Sequence, residues 1–132
     1  MSIKINFEGG KKVNAEINGL VVKTDQPLSV GGEGSAPSPF EVFLTSLGTC
    51  AGIFIKSFCD QRGIATEKMY LMQDAEYNPI QKLVEKINIS IHVPAAFPDK
   101  YDSALISTAS LCTVKRHLRE DIIVDIRVIR DK

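Results

Sequence analysis

Apolar and polar residues alternate along much of the chain, as they do in strands that bury one face. The alternation is clearest in the run EKINISIHV, from Glu85 to Val93. Asn18-Gly19, the dipeptide favoured in two-residue hairpin turns, separates two of the alternating runs. Strands are therefore predicted over residues 3–7, 13–17, 20–24, 66–78, 83–93 and 122–129, and the first three are expected to form an antiparallel meander.

A long helix is predicted between the two groups of strands. Ser38 can cap it, Pro39 takes the first helical position, and Glu41 completes a capping box. Gly63 is a plausible residue just past its end, so the helix covers about residues 39–62. Apolar residues occupy most of its circumference, which indicates burial on most sides. Because a small monomer can hardly provide such burial, we expect the helix to pack partly against a second subunit.

Two shorter helices are predicted before the last strand. Pro98 can open one over residues 99–108. Ser110 can cap another that runs over residues 111–119. This cap would place Cys112 at the second helical position, where free backbone N–H groups favour its thiolate.

Length and charge exclude several classes of function. The 132 residues suit a single domain over residues 1–132. Lys plus Arg and Asp plus Glu both number 16, so there is no basic excess for binding nucleic acid. The N-terminus lacks the pattern of a signal peptide, and no run approaches the roughly 20 apolar residues of a membrane span. We therefore expect a cytoplasmic protein with no membrane partner, whose cysteines are mostly reduced.

Three cysteines are the first candidates for chemistry. Cys50 and Cys59 lie nine residues apart on the predicted helix. This spacing puts them on opposite faces and about 13 Å apart along the axis. Within one chain, only Cys112 could therefore bridge to either of them. The small residues around Cys50 favour that cysteine, because they leave room for another segment or a substrate. Buried free cysteine is also common packing material, so a structural role stays open.

Glu41 has two interpretations, as the carboxylate of the capping box or as a group that positions a cationic side chain. His92 and His117 do not make a metal site, because no Cys or His spacing in the chain matches a zinc site.

Two segments resemble the OsmC/Ohr family of thiol peroxidases. The first runs from Gly31 through the Pro-Ser-Pro-Phe-Glu41 motif to Leu-Gly-Thr-Cys50, and the second from Cys112 to Leu118. The resemblance covers essentially the whole chain. It implies an α+β, OsmC-like fold, with antiparallel sheets packed around two long central helices in an intertwined homodimer.

The resemblance also implies an activity. Cys50 would attack the O–O bond of a hydroperoxide, and Cys112 would resolve the resulting sulfenic acid as a disulfide. A dithiol reductant would then reopen the disulfide, and no metal or organic cofactor is needed. Phe43, Leu47 and Phe54 could line a pocket suited to organic hydroperoxides.

One departure from the family pattern concerns activation of the thiolate. The active peroxidases use an arginine from the N-terminal strands, held by the glutamate, but this chain has no arginine before Arg62. Lys11, in Gly9-Gly10-Lys11, could supply charge but not a planar fork. The alternative is therefore a non-catalytic or weakly active member that binds a small apolar ligand or senses oxidation. In a third interpretation the cysteines are only core residues of a structural dimer.

Overall fold

The computed structural model describes all residues from Met1 to Lys132. They form two compact units, Met1–Thr45 and Ser46–Lys132. The strands are β1 (Lys4–Gly9), β2 (Lys12–Ile17), β3 (Leu20–Val22), β4 (Tyr70–Asn78), β5 (Leu83–Pro94) and β6 (Ile123–Asp131). The helices are α1 (Pro39–Gln61), α2 (Asp102–Ala109) and α3 (Thr113–Arg116), with single 3-10 turns at Leu28–Val30 and Asp99–Tyr101. The α+β class is confirmed, and α1 begins in the first unit and ends in the second.

The first unit contains the predicted meander, an antiparallel sheet in the order β1-β2-β3. Asn18 and Gly19 both have positive φ, as the tight hairpin turn between β2 and β3 requires. The strand register puts Ile5, Phe7 and Leu20 on one face of the sheet. These side chains are 55%, 86% and 69% exposed, so the apolar face of this sheet is open to solvent in the single chain.

The second unit has a sheet in the order β4-β5-β6. Strands β4 and β5 are antiparallel, whereas β6 runs parallel to β5, so this sheet is mixed rather than wholly antiparallel. A parallel pair needs a crossover connection, and α2 and α3 lie in the segment that supplies it. The alternation in β5 buries Ile87, Ile89, Ile91 and Val93, which form a core with buried residues of α1 and α2.

Both ends of α1 follow the predicted chemistry. The Ser38 N–H donates to Glu41 Oε2 at 2.7 Å, and the Glu41 N–H donates to Ser38 Oγ at 3.3 Å, which is the reciprocal capping box. At the other end Gly63 has φ +64°. The Ile64 N–H reaches the Cys59 carbonyl at 2.9 Å, a bond that closes the last turn of the helix.

The predicted helix over residues 111–119, capped by Ser110, is wrong. Ser110 ends α2, and its hydroxyl donates to the Ile106 carbonyl at 2.8 Å instead of capping the next helix. Cys112 is the N-cap of α3, which has only four residues. Cys112 therefore precedes the helix instead of occupying its second position.

Helix α1 is long and apolar enough to cross a membrane by length and composition, with a mean hydropathy of 1.6 in its most apolar window. The core helix of a soluble protein passes the same test, so this is weak evidence. In the single chain 28% of that window is buried, which includes Ala51, Ile55, Phe58 and Cys59, so the single chain does not bury α1 on most sides.

Candidate functional site

Cys50 and Cys112 are neighbours in the second unit. Helix α1 carries Cys50, which is half-buried, and the turn between α2 and α3 carries Cys112, which is 1% exposed. The two thiols are within hydrogen-bonding reach of each other. The sulfur of Cys112 also lies 3.7 Å from the carbonyl oxygen of Leu47, one turn before Cys50 on α1. The structure thus brings together the pair of cysteines that the resemblance implied.

The surroundings of Cys50 favour its thiolate. Burial raises the pKa of Cys50, but hydrogen bonds from the Val114 N–H, the Cys112 thiol and the Thr113 N–H outweigh it, and the net pKa is lowered. No charged side chain is among these donors. Thiolate stabilisation therefore comes from backbone amides and a neighbouring thiol.

Cys112 is shifted in the opposite direction. Burial is the largest cause that raises its pKa, and the hydrogen bond to Cys50 and the charge of Cys50 raise it further, against a lowering from the Lys115 N–H. The opposite shifts therefore favour Cys112 as the thiol of the pair and Cys50 as the thiolate. The prediction that local N–H groups make Cys112 the thiolate is wrong, because burial and the neighbouring Cys50 raise its pKa by more than the Lys115 and Val114 N–H groups lower it.

Both sulfurs interact with backbone N–H groups at the start of α3. Hydrogen bonds from the Thr113 and Val114 N–H groups lower the pKa of Cys50, the Val114 N–H also lowers the pKa of Cys112, and the Lys115 N–H donates to Cys112 Sγ at 3.4 Å. These are first-turn amides, which have no partner within their own helix. Sequence reasoning missed the amides of Thr113 and Val114 as partners of Cys50, and their side chains carry no signal that could reveal them.

Gly48 has a packing role close to the cysteine pair. A Cβ at Gly48 would lie 2.5 Å from the side-chain oxygen of Gln73 on β4. This glycine therefore leaves room for the end of the Gln73 side chain, which fills on this side the space expected beside Cys50.

Cys59 lies apart from the pair. It is fully buried among core residues, and burial raises its pKa. This environment favours an inert thiol.

Glu41 and Lys11 both lie in the first unit. The carboxylate of Glu41 is held by Ser38 in the helix cap, and the backbone hydrogen bond from Ser38 lowers its pKa. Lys11 is exposed in the turn between β1 and β2. Its neighbour Lys12 forms the ion pair of this region, with Glu33 at 2.8 Å.

The three apolar pocket candidates have different settings. Phe43 is 45% exposed and stacks on Phe40, with ring centroids 5.9 Å apart. Leu47 is buried in the core. Phe54 lines an open groove of about 600 Å³ between α1 and α2. The groove is also lined by Ser57, Phe58, Arg62, Ser107 and Thr108.

Solved structures share this fold at low sequence identity. A protein ascribed to osmotic stress and detoxification response from Psychrobacter arcticus 273-4 has a TM-score of 0.83 and 21% identity, over 98% of this chain and 96% of that one. An OsmC-like protein from Mycoplasma pneumoniae has a TM-score of 0.78 and 14% identity, over 99% and 96%. An organic hydroperoxide resistance protein from Legionella pneumophila has a TM-score of 0.62 and 18% identity, over 100% and 98%. Identities this low show a shared fold alone.

No curated protein matches this chain. The family model described as OsmC-like protein matches residues 32–127. This match includes both cysteines and most of the chain, so the protein belongs to the OsmC-like family.

Proposed function

We propose that this protein is a thiol-dependent hydroperoxide reductase, with Cys50 as the attacking thiol and Cys112 as the resolving thiol. The observation that carries the proposal is the adjacency of the two thiols combined with their opposite pKa shifts. One sulfur is favoured as a thiolate and the other as a thiol, which are the protonation states that the first step requires.

The proposed reaction uses only these two sulfurs and an external reductant. The Cys50 thiolate attacks one peroxide oxygen, the O–O bond breaks, and the departing alkoxide takes a proton to leave as an alcohol. Cys112 then attacks the sulfenic sulfur of Cys50, and water leaves as the disulfide forms. A dithiol supplies two electrons by thiol–disulfide exchange and restores both thiols. No step uses a metal or an organic cofactor.

The charge of Cys50 gives the two steps an order. While Cys50 is a thiolate, its charge raises the pKa of Cys112 and disfavours a second thiolate beside it. Sulfenic acid formation removes that charge, so Cys112 ionises more readily when it is needed as a nucleophile.

The groove between α1 and α2 supports a preference for organic hydroperoxides. Phe54 lies four residues after Cys50, and Thr108 lies four residues before Cys112. On α1 the groove wall thus leads one helical turn away to Cys50, and on the other side α2 ends at Ala109 in the turn that carries Cys112. The aromatic ring of Phe54 offers apolar surface for the organic part of a substrate.

We also propose that the protein is a homodimer of single-domain chains in the cytoplasm. Thiols are kept reduced in that compartment. A second copy would cover the open apolar face of the first unit, which carries Phe7 and Leu20. Lys11 is proposed as an additional positive charge for the site. Glu41 already serves the cap of α1, and this role leaves its carboxylate less able to orient a cation.

The direct test is consumption of cumene hydroperoxide and of hydrogen peroxide in the presence of dihydrolipoamide. We expect turnover with the organic peroxide to be the faster, Cys50→Ser to abolish it, and Cys112→Ser to leave a sulfenic acid that a trapping reagent labels. Cys59→Ser is the matched control and should leave turnover unchanged, because Cys59 lies in the core away from the pair. If neither peroxide is consumed by the wild-type protein, the proposal is wrong.

A second candidate is a protein that binds an apolar ligand or records oxidation without turnover. It is favoured by the absence of arginine before Arg62 and of charged donors to Cys50. Intact mass after one equivalent of peroxide separates the candidates in part. Loss of two hydrogen atoms with a Cys50–Cys112 link fits an enzyme or a sensor, and continued consumption with reductant fits only the enzyme. An unchanged mass fits only a binder.

A further inference from the structure

We propose that Arg130 is a positioning residue for the resolving step, because it clamps the start of α2 while Cys112 lies just past the end of that helix. This inference rests on the proposed role of Cys112 as the resolving thiol. In that step the Cys112 sulfur bonds to the sulfenic sulfur of Cys50, and the S–O bond breaks. The oxygen leaves as water, with the protons of the sulfenic acid and the thiol. The step therefore depends on where α2 holds Cys112.

The clamp joins the last strand of the sheet to the first residue of α2. Arg130, near the end of β6, donates from Nη1 to Asp102 Oδ2 at 2.7 Å and from Nη2 to Asp102 Oδ1 at 2.6 Å. Its Nη2 also lies 2.9 Å from Asp99 Oδ1 and donates to the Phe97 carbonyl at 3.5 Å. Two parallel bonds from a planar guanidinium fix orientation as well as distance. The start of α2 is thus held to β6 in one arrangement.

Helix α2 has no local side-chain cap that could replace the clamp. Tyr101 is its N-cap residue, and the Tyr101 side chain makes no capping hydrogen bond. Asp102 is the acidic residue of the first turn, but Arg130 holds its carboxylate. Leu105 and Ala109 bury one face of the helix in the core. The position of the N-terminal end therefore depends on a side chain that comes from β6.

Backbone hydrogen bonds connect the far end of α2 to the resolving thiol. The Ser110 N–H donates to the Ile106 carbonyl at 3.0 Å, and the Cys112 N–H donates to the Ala109 carbonyl at 3.4 Å. Hydrogen-bonded turns therefore continue from α2 as far as Cys112. The Cys112 sulfur in turn lies 3.7 Å from the carbonyl oxygen of Leu47 on α1. A shift at the start of α2 should therefore move this sulfur relative to α1.

Substitutions of Arg130 should separate the two steps of the reaction. Arg130→Met removes the clamp, whereas Arg130→Lys keeps the charge without the two parallel bonds. We expect disulfide closure to slow by about tenfold or more in Arg130→Met and by less in Arg130→Lys, since misplacing reacting groups by about 1 Å can cost on the order of a hundredfold in rate. Oxidation of Cys50 to the sulfenic acid should keep its wild-type rate, because Cys50 lies on α1.

Arg119→Met is the matched control. Arg119 also forms an ion pair with an aspartate, Asp121, but both side chains are exposed and lie beyond α3. This variant should alter neither step. One equivalent of cumene hydroperoxide, followed by rapid quenching with a sulfenic-acid trap and a thiol alkylating agent, allows intact mass to follow each step. If Arg130→Met closes the disulfide at the wild-type rate, or slows both steps equally, Arg130 does not position Cys112 and the inference fails.

Two further measurements guard against a misfolded variant and against failure of the proposed function. Asp102→Asn weakens the clamp from its other side, and it should slow closure selectively while circular dichroism shows an unchanged fold. Diamide oxidises the two thiols to the same disulfide by taking their two hydrogens, so it tests positioning without peroxide. Closure by diamide at equal rates in wild type, Arg130→Met and Asp102→Asn would overturn the inference. Failure of peroxide to oxidise Cys50 would contradict the proposed function instead.

Discussion

Asp25 is a charged side chain almost completely buried in the first unit, at 1% exposure. Its carboxylate accepts hydrogen bonds from the hydroxyl of Ser35 at 2.7 Å and from the N–H groups of Gln26, Ser35 and Glu33. The Ser35 hydroxyl is the largest of the causes that lower its pKa, which falls to about 2. Asp25 therefore holds the glycine-rich loop before α1 through its charged form.

The stability of the protein should depend on this carboxylate in a defined pH range. Because the pKa of Asp25 is lower in the folded state, its contribution is present above the unfolded value near 4 and is lost as pH falls toward about 2. We expect Asp25→Asn to lower the free energy of unfolding near neutral pH and the difference from wild type to shrink between about pH 4 and pH 2. Urea unfolding at several pH values and fixed protein concentration measures both free energies of unfolding.

The matched control is Asp74→Asn, which changes an exposed carboxylate on β4. It should leave the free energy of unfolding almost unchanged across the same range. A difference between Asp25→Asn and wild type that stays constant with pH would contradict the assigned role of the charge.

The family resemblance implied the pair Cys50–Cys112, but the residue identities did not reveal the electrostatics of the pair. The sequence correctly indicated free N–H groups near Cys112, and the Lys115 N–H does donate to that sulfur, but burial still raises the pKa of Cys112. The error arises because backbone donors have no sequence signature. Their partner depends on where the helix begins relative to Cys112. Asp25 was not singled out either, since an aspartate before Gln26-Pro27 resembles any loop residue until its burial is known.

At the scale of elements, the hydrogen bonds that stabilise the Cys50 thiolate must equally stabilise α3. This helix has four residues, and its first amides depend on the two sulfurs. Coupling between two groups is reciprocal, so a neutral side chain at position 50 should loosen the segment. Bonds to charged groups are worth roughly 1 kcal/mol more than bonds to neutral ones, which is about fivefold in a local opening equilibrium.

Hydrogen exchange and proteolysis can detect this loosening. In Cys50→Ser, the amides of Thr113, Val114 and Lys115 should exchange about fivefold faster than in the wild type, since faster local opening exposes them. Trypsin should also cut sooner after Lys115 and Arg116. Cys59→Ser serves as the control, because it alters a buried sulfur without contact to α3. Equal protection in wild type and Cys50→Ser would contradict the coupling.

Elements were predicted correctly where their signals come from residues close in sequence, and wrongly where contacts between distant residues decide. Helix α1 was placed to within a residue at either end because its signals are local: the Ser38–Glu41 box at the start and Gly63 past the end. The boundary between α2 and α3 was misplaced because the Ser110 hydroxyl can serve either helix, and tertiary contacts decide. The parallel direction of β6 was not predicted, since alternation identifies a buried face and carries no information on strand direction.

At the scale of the whole molecule, the first unit has too little interior to account for its apolar residues. Asp25 is the one buried residue among positions 1–45, and it is charged. The alternation along β1, β2 and β3 nevertheless gathers Ile5, Phe7, Leu20 and Val22 on a single face. An exposed face of this kind marks an interaction surface on a soluble protein. A second copy of the chain is the occupant we propose.

Sedimentation tests this association with a variant that places charge on the exposed face. The wild type should sediment as a dimer of the 14.5 kDa chain at micromolar concentration. Phe7→Glu combined with Leu20→Glu should shift it to monomer, because each apolar side chain that would be buried is worth roughly 1.5–3 kcal/mol and a buried unpaired carboxylate adds a penalty. Lys4→Gln, on the opposite face of β1, should leave the dimer intact. A wild-type protein that sediments as a monomer would remove the need for a second copy and leave this face to a different partner.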